Sequence, residues 1–183
     1  MIVGISGKAR AGKSLIGSYL VEKYNFEQIA FADTLKKACK EIFGLTEEQV
    51  NGGKKEVIDS YWDMTPRAIL QKVGTDCLRD NFDKNIWINA AHRKILSNPE
   101  KSYVLTDCRF INETLAVKSW GGILLRIERP QAGAKGTMSQ HPSETEMESF
   151  KQWDHIIDNK GQSVEELFKK VDHFMDTWGN KWP

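Results

Sequence analysis

Cysteine, histidine and proline are scarce in this chain of 183 residues, which holds three, four and five of them. Cys39, Cys77 and Cys108 are widely spaced and form no C-x-x-C pair. That excludes a disulfide-framed scaffold and leaves three reduced, semi-buried thiols as the expectation. His92, His141, His155 and His173 likewise lack the spacing of metal ligands, so each is expected on the surface or in the core. No apolar run approaches the roughly 20 residues that a membrane span needs. An excess of one charge is missing too: 26 Lys and Arg face 25 Asp and Glu, a formal net charge of +1. This argues against a chain that wraps nucleic acid or lies on a membrane, and any basic cluster must be local. Glycines interrupt the apolar N-terminal residues at once, so no signal peptide is expected and the protein reads as soluble and cytoplasmic. Internal repeats and a second-domain linker are also absent, and the length suits one domain with a real core.

What is present begins at Ile2. The apolar residues Ile2, Val3 and Ile5 lead into Gly7-Lys8-Ala9-Arg10-Ala11-Gly12-Lys13-Ser14, which fits G-x-x-x-x-G-K-[ST]. A helical pattern of Leu15, Ile16, Tyr19 and Leu20 follows. Strand, glycine loop and helix in that order are the context of a phosphate-binding loop. Glycines let successive N–H groups curl inward, and the helix start adds partial positive charge. Lys8 to Ser14 would cradle ATP, with Lys13 reaching the β- and γ-phosphates and the Ser14 hydroxyl ligating Mg²⁺. The plain alternative is a glycine-containing βα turn without a ligand.

Short apolar runs alternate with longer helical patterns, which argues for an α/β fold with a mostly parallel sheet. Strands are expected at 2–6, 28–31, 103–107, 123–128 and 155–158. Helices are expected from Ser14 to Lys23, from Asp33 to a stop at Gly44, from Pro66 toward Leu78 or Phe82, over 86–96 and over 111–120. Thr46 to Gln49 has capping-box spacing for one short turn, 51–55 reads as a loop, and Thr65-Pro66 is a cap followed by proline at the first helical position. A short helix at 143–150 and a last helix capped by Ser163 complete the pattern. Residues 129–142 are rich in Gly, Pro and polar side chains, a loop too long for a bare connection.

Asp107 closes an apolar strand as the second motif of a nucleoside triphosphatase does, where the aspartate holds Mg²⁺ or its water shell. In open α/β folds strand ends gather at the ligand edge of the sheet. Lys36, Arg67, Arg79, Arg109, Arg126, Arg129 and Lys135 stand near element ends. Each alone reads equally as solvated surface charge, and Arg126, inside a strand pattern, could be either. Together they suit a reaction that spreads negative charge over a transferring phosphoryl group. Tyr61, Trp62, Trp87 and Trp153 lie near loops of the expected site and either stack on a base or pack the core; Trp120, Trp178 and Trp182 are assigned to packing or the tail.

The ordered segments FADTLKK (31–37), TPRAILQKVGTD (65–76) with Arg79, LTDCRFINE (105–113), GGILLRIERP (121–130) and HPSE (141–144) follow the loop. This succession resembles the bacteriophage deoxynucleoside monophosphate kinases, a branch of the nucleoside monophosphate kinases, from Ile2 to about residue 167. The resemblance implies a three-layer α/β/α P-loop domain over 1–183, with an acceptor-binding helical region at about 33–98 and a lid at about 129–145. It implies transfer of the γ-phosphoryl group of ATP to a deoxynucleoside 5′-monophosphate (dNMP), with Mg²⁺. Lys13, Asp107 and Arg129 would be catalytic, and Thr137 would join the ATP contacts. Asp33, Lys36, Arg67, Gln71, Arg79, Arg109 and Glu113 would line the acceptor site; Ser14 and Asp107 would hold the metal. Some family members carry aspartate after the loop lysine, where this chain has Ser14. A homodimer is compatible with the resemblance, as is the host cytoplasm for a viral chain.

Two other readings stand beside it. Another small-molecule P-loop kinase, such as a dephospho-coenzyme A kinase, shares an early F-A-D-x-L-K-like segment. A nucleotide-dependent switch protein would hydrolyse ATP or GTP slowly without an acceptor, although no N-K-x-D guanine motif occurs.

Overall fold

The computed structural model describes residues 1–130, 132, 146–161 and 163–179. The chain divides into two compact units, one of Met1–Ala30 with Ile95–Pro183 and one of Phe31–Lys94. The first holds a five-stranded sheet: β1 (Ile2–Ser6), β2 (Phe26–Ile29), β3 (Ser102–Leu105), β4 (Ile123–Glu128) and β5 (His155–Asp158). Its order is β2-β3-β1-β4-β5, and every neighbouring pair is parallel.

The sheet is covered on both faces, which is why the central β1 and its neighbour β3 are largely apolar and almost wholly buried, whereas the edge strands β2 and β5 carry polar residues. Val3 and Ile5 of β1 pack with Ile16 and Leu20 of α1 (Lys13–Tyr24) on one face. The last helix contributes Leu167, Val171 and Phe174 to the same cluster. On the other face Gly4 meets α6 (Ile111–Ser119) so closely that a Cβ would lie 3.1 Å from both Val117 Cγ1 and Cys108 Sγ. Three layers result, as expected. The chain leaves β1 for β2, returns to β3, then crosses to β4. β1 therefore marks the point where strand order reverses, and the loop after it opens at the crevice where such sheets take ligands.

The second unit is helical. It contains α2 (Asp33–Phe43), α3 (Glu47–Val50), α4 (Pro66–Gln71) and the first part of α5 (Ile86–Leu96). Cys39, Leu45, Val50 and Ile69 form its core, with Leu35, Phe43, Met64, Leu70 and Val73 against them. Gly44 ends α2 at φ 68°, a left-handed position that favours glycine. Both sequence caps are made: Thr46 accepts from Gln49 N, and Thr65 Oγ1 accepts from Ala68 N at 3.2 Å.

Several expectations are corrected. β2 runs 26–29, so Ala30 and Phe31 lie beyond it; β3 ends at Leu105, two residues before Asp107. The loop expected at 51–55 holds a 3₁₀ turn over Gly53–Glu56. The helix begun at Pro66 does not continue as α-helix: residues Lys72–Arg79 form a π-helix. Gly74 lies within it, where a Cβ would come 2.4 Å from Leu35 Cδ2, and Trp87 Nε1 donates to the Gly74 carbonyl at 3.0 Å. Close packing of α2 thus coincides with the widened turn, a feature without hydrophobic periodicity to announce it. Of 143–150, only Glu146–Glu148 is a helical turn among the described residues. Cys39 and Cys108 are buried rather than semi-buried, and Cys77 is exposed. The last helix, α7, covers Val164–Trp178, with Ser163 accepting from Glu166 N as its cap. Among the described residues no helix is long and apolar enough to cross a membrane.

Candidate active site

The loop between Ser6 and Lys13 is shaped by contacts that only small residues permit. At Gly7 a Cβ would stand 2.6 Å from the Ile127 carbonyl oxygen. At Gly12, with φ 106°, a Cβ would stand 2.9 Å from Asn159 Nδ2. Arg10 adopts φ 65°, so the chain turns sharply in between. Ala11 N donates to the Lys8 carbonyl at 3.2 Å and closes the turn. The α1 N-terminus receives no side-chain cap and has no acidic residue in its first turn among the described residues. Its N–H groups, and the partial positive charge they carry, are available to an anion.

The neighbouring helix start is different. Glu113 Oε2 accepts from Arg109 N at 2.7 Å and Phe110 N at 3.0 Å, and Glu146 Oε1 accepts from Ile111 N at 2.8 Å. Two carboxylates therefore fill the α6 N-terminus. Of the two, only the one at α1 is open.

Lys13 Nζ donates to the carbonyls of Gly7 at 2.7 Å and Lys8 at 2.8 Å, which holds the ammonium across the loop. Ser14 is exposed in the first turn of α1. Lys8 Nζ pairs with Glu148 Oε1 at 2.8 Å, and that hydrogen bond holds the Glu148 carboxyl below its ordinary pKa. Arg129 Nη1 donates to the Arg10 carbonyl at 3.4 Å. Asp107 and Arg109 follow β3 at the same strand ends, and Arg109 lines a small cavity with Ser6, Gly7, Lys8, Cys108, Arg126 and Met147. Burial raises the Cys108 thiol pKa, with Glu113 and Asp107 adding to it, so this thiol stays neutral and is no nucleophile.

Lys8, Ala9, Arg10, Ala11, Gly12, Lys13, Ser14, Asp107, Arg109, Glu113 and Arg129 all belong to the sheet unit. Asp33, Lys36, Arg67, Gln71 and Arg79 belong to the helical one, on α2, α4 and the π-helix. There Asp33 and Lys36 stand in the first turn of α2, and Arg67 Nε donates to Glu56 Oε1. Gln71 is exposed, and Arg79 is half-buried at the end of the π-helix. Thr137, Lys135 and most of the expected lid lie outside the described residues.

The aromatic residues divide. Trp62 donates to the Phe43 carbonyl at 2.8 Å and meets that ring edge-on, whereas the Tyr61 ring, on a residue 84% exposed, meets Trp62 edge-on. Two further residues stand out: Asn159, which the sequence reading did not single out, and Arg126, which it left open between site and surface. Asn159 is buried just past β5 and donates through Nδ2 to the Ala11 carbonyl at 2.9 Å. In sequence it is one more polar residue after a strand. Arg126 reaches Ser6 Oγ at 3.4 Å, and its only sequence signal was a charge within an apolar run.

The description of deoxynucleotide monophosphate kinases matches residues 44–171 as a family. A protein of Acanthamoeba polyphaga mimivirus, provisionally named for the same activity, is 38% identical over 93% of this chain and 94% of its own. The chain belongs to the deoxynucleotide monophosphate kinase family. Enzymes of that name from Enterobacteria phage T4 and Escherichia phage T5 are 28% and 30% identical over 62% and 71% of this kinase. The matches span about half of those two proteins, 46% and 53%. Among solved structures, a dephospho-CoA kinase from Campylobacter jejuni has TM-score 0.57 at 15% identity, over 96% of this kinase and 95% of that chain. A shikimate kinase from Aquifex aeolicus has TM-score 0.50 at 17% identity, over 99% and 98%. At such identity these two describe the fold, a P-loop kinase fold, and nothing of the substrate.

Proposed function

We propose that this kinase transfers the γ-phosphoryl group of ATP to a dNMP, forming the dNDP and ADP. The observation that carries the reading is the open α1 N-terminus behind a curled glycine loop with the Lys13 ammonium across it, in a chain of this family. The loop amides hold the donor phosphates. Lys13 exchanges two carbonyl partners for phosphate oxygens, so its charge meets the group that moves. Arg109 and Arg129 add donors at the same strand ends, and Asp33, Lys36, Arg67, Gln71 and Arg79 take the acceptor. No general base is needed, because the acceptor oxygen already belongs to a phosphate anion. Catalysis then rests on positioning and on charge that is set before reaction.

The donor set fits Mg²⁺: an exposed hydroxyl at Ser14 and a carboxylate at Asp107 are the hard oxygen ligands this ion takes. When bound it neutralises charge on the transferring phosphate. A homodimer and a cytoplasmic setting belong to the same reading, and sedimentation of the purified kinase decides the first.

Coupled ADP formation against the common dNMPs, the NMPs, dephospho-CoA and no acceptor tests the proposal. Acceptor-dependent turnover restricted to dNMPs supports it. Equal ATP turnover with and without acceptor overturns it in favour of a switch protein, and turnover only with dephospho-CoA overturns it in favour of the other kinase.

A further inference from the structure

β4 is an apolar strand with one anomaly. Ile123, Leu124, Leu125 and Ile127 are buried, and Arg126 stands among them half-buried. It pairs in register with Ser6, the last residue before the phosphate loop. We propose that Arg126 is a phosphate-binding residue, its guanidinium taking a phosphoryl oxygen in the small cavity that it lines with Gly7, Lys8 and Arg109. The inference rests on the transfer reading and adds to it a group that the loop motif does not contain.

The guanidinium has protein contacts, but none matches its charge. Ser6 Oγ lies at a long 3.4 Å, and the Trp153 ring lies 5.3 Å from the guanidinium carbon. Among the described residues no carboxylate stands within ion-pair distance of Arg126; Glu128 and Glu148 act on it only at longer range. Burial pulls its pKa down, yet a guanidinium remains charged. Lys8 and Arg109 line the same space, and although Glu148 pairs with Lys8, the guanidinium groups of Arg126 and Arg109 bring like charges together there. Such convergence is unfavourable until an anion arrives, and only an oxyanion matches a planar fork of donors.

A purely structural role would be a cation resting on an aromatic face. That role needs the ring, which is held by its own hydrogen bond from Trp153 Nε1 to the Phe150 carbonyl at 3.1 Å. It does not explain why the guanidinium lines the cavity behind the first glycine of the loop. Taking a charge out of water for one stacking contact is a poor exchange, whereas a phosphate would complete it.

The ligand chemistry is a phosphoryl oxygen, from either the ATP terminus or the acceptor. The test compares wild type with R126M and R126K in steady-state kinetics and in thermal melting with sodium tripolyphosphate or inorganic phosphate. R126M is expected to melt near wild type without anions and to lose kcat by roughly 10²-fold, the scale of one preorganised donor. R126K, which keeps charge and loses the fork, should fall between. Loss of the tripolyphosphate-induced shift with raised ATP KM assigns the donor; loss of the phosphate-induced shift with raised acceptor KM assigns the acceptor. Wild-type responses to both anions with unchanged kcat overturn the proposal, whatever the melting temperature. Should R126M fail to fold, unchanged kcat in R126K overturns it instead. If wild type shows no acceptor-dependent turnover while R126M still loses an anion response, the transfer reading fails and the phosphate site stands.

Discussion

Asn159 Nδ2 donates to the Ala11 carbonyl across 2.9 Å, tying the end of β5 to the middle of the phosphate loop, 148 positions away in the chain. Gly161 N donates back to Asn159 Oδ1 at 3.4 Å, so the amide is held at both ends. Asn159→Ala leaves a buried carbonyl unpaired, at a cost of about 1–3 kcal/mol. The expected result is a lower melting temperature with a raised ATP KM and an acceptor KM near wild type. Equal effects on both KM values would mean that Asn159 supports the fold in general and not this loop.

Lys13→Met removes the ammonium held by Gly7 and Lys8. The carbonyls of Gly7 and Lys8 that it holds lie in a partly exposed loop, so stability changes little. Turnover should fall by roughly 10²- to 10³-fold, as for loss of a group that meets charge at the reacting centre. Initial-rate measurement at saturating ATP checks it; a variant defective only in ATP KM would place Lys13 in ground-state binding.

Arg67→Ala and Arg79→Ala should raise the acceptor KM by roughly 10- to 100-fold each, the worth of one charge-assisted hydrogen bond. ATP KM should stay put. Arg67 pairs with Glu56, and both side chains are at least half exposed, so breaking this pair alone contributes little to stability. If neither variant alters acceptor KM or kcat, the acceptor residues lie elsewhere.

Asp172 gathers α1 onto α7: its Oδ1 accepts from Lys23 Nζ at 2.8 Å, Tyr24 OH at 2.7 Å and Tyr19 OH at 2.9 Å. Burial by itself would raise the carboxyl pKa, but these donors outweigh it and hold the pKa below its ordinary value. Tyr24 is pushed up to about 12, first by burial and then by its bond to Asp172. A depressed carboxyl contributes stability above its unfolded pKa, about 3.9, and loses it as pH falls through the lower folded value. Asp172→Asn should therefore melt lower than wild type at neutral pH, with the gap closing as wild type is acidified below about pH 4. A gap that persists unchanged at acid pH would show that the carboxylate charge is irrelevant.

How much was legible in the chain differs by element. β4 and β5 fall where apolar runs place them, at 123–128 and 155–158, because each carries buried aliphatic residues, Leu124 and Leu125 in β4 and Ile157 in β5, between turn-forming neighbours. Caps at Thr46, Thr65 and Ser163 were readable since each bond spans only three residues. The π-helix over Lys72–Arg79 was not, because the close contact that coincides with it, Leu35 against Gly74, comes from another helix. Glu113 was placed in the acceptor crevice by resemblance, and its carboxylate accepts from the amides of Arg109 and Phe110, a local bond that C-R-F-I-N-E spacing already allows.

The order of residues alone determined the strand, glycine turn and helix at 2–24, since such a turn is a local arrangement encoded within about a dozen positions. Only the folded chain decided what braces that loop and what lines the space behind it. Asn159 and Arg126 arrive there through parallel crossovers, and contacts between distant segments leave no spacing for a sequence to display.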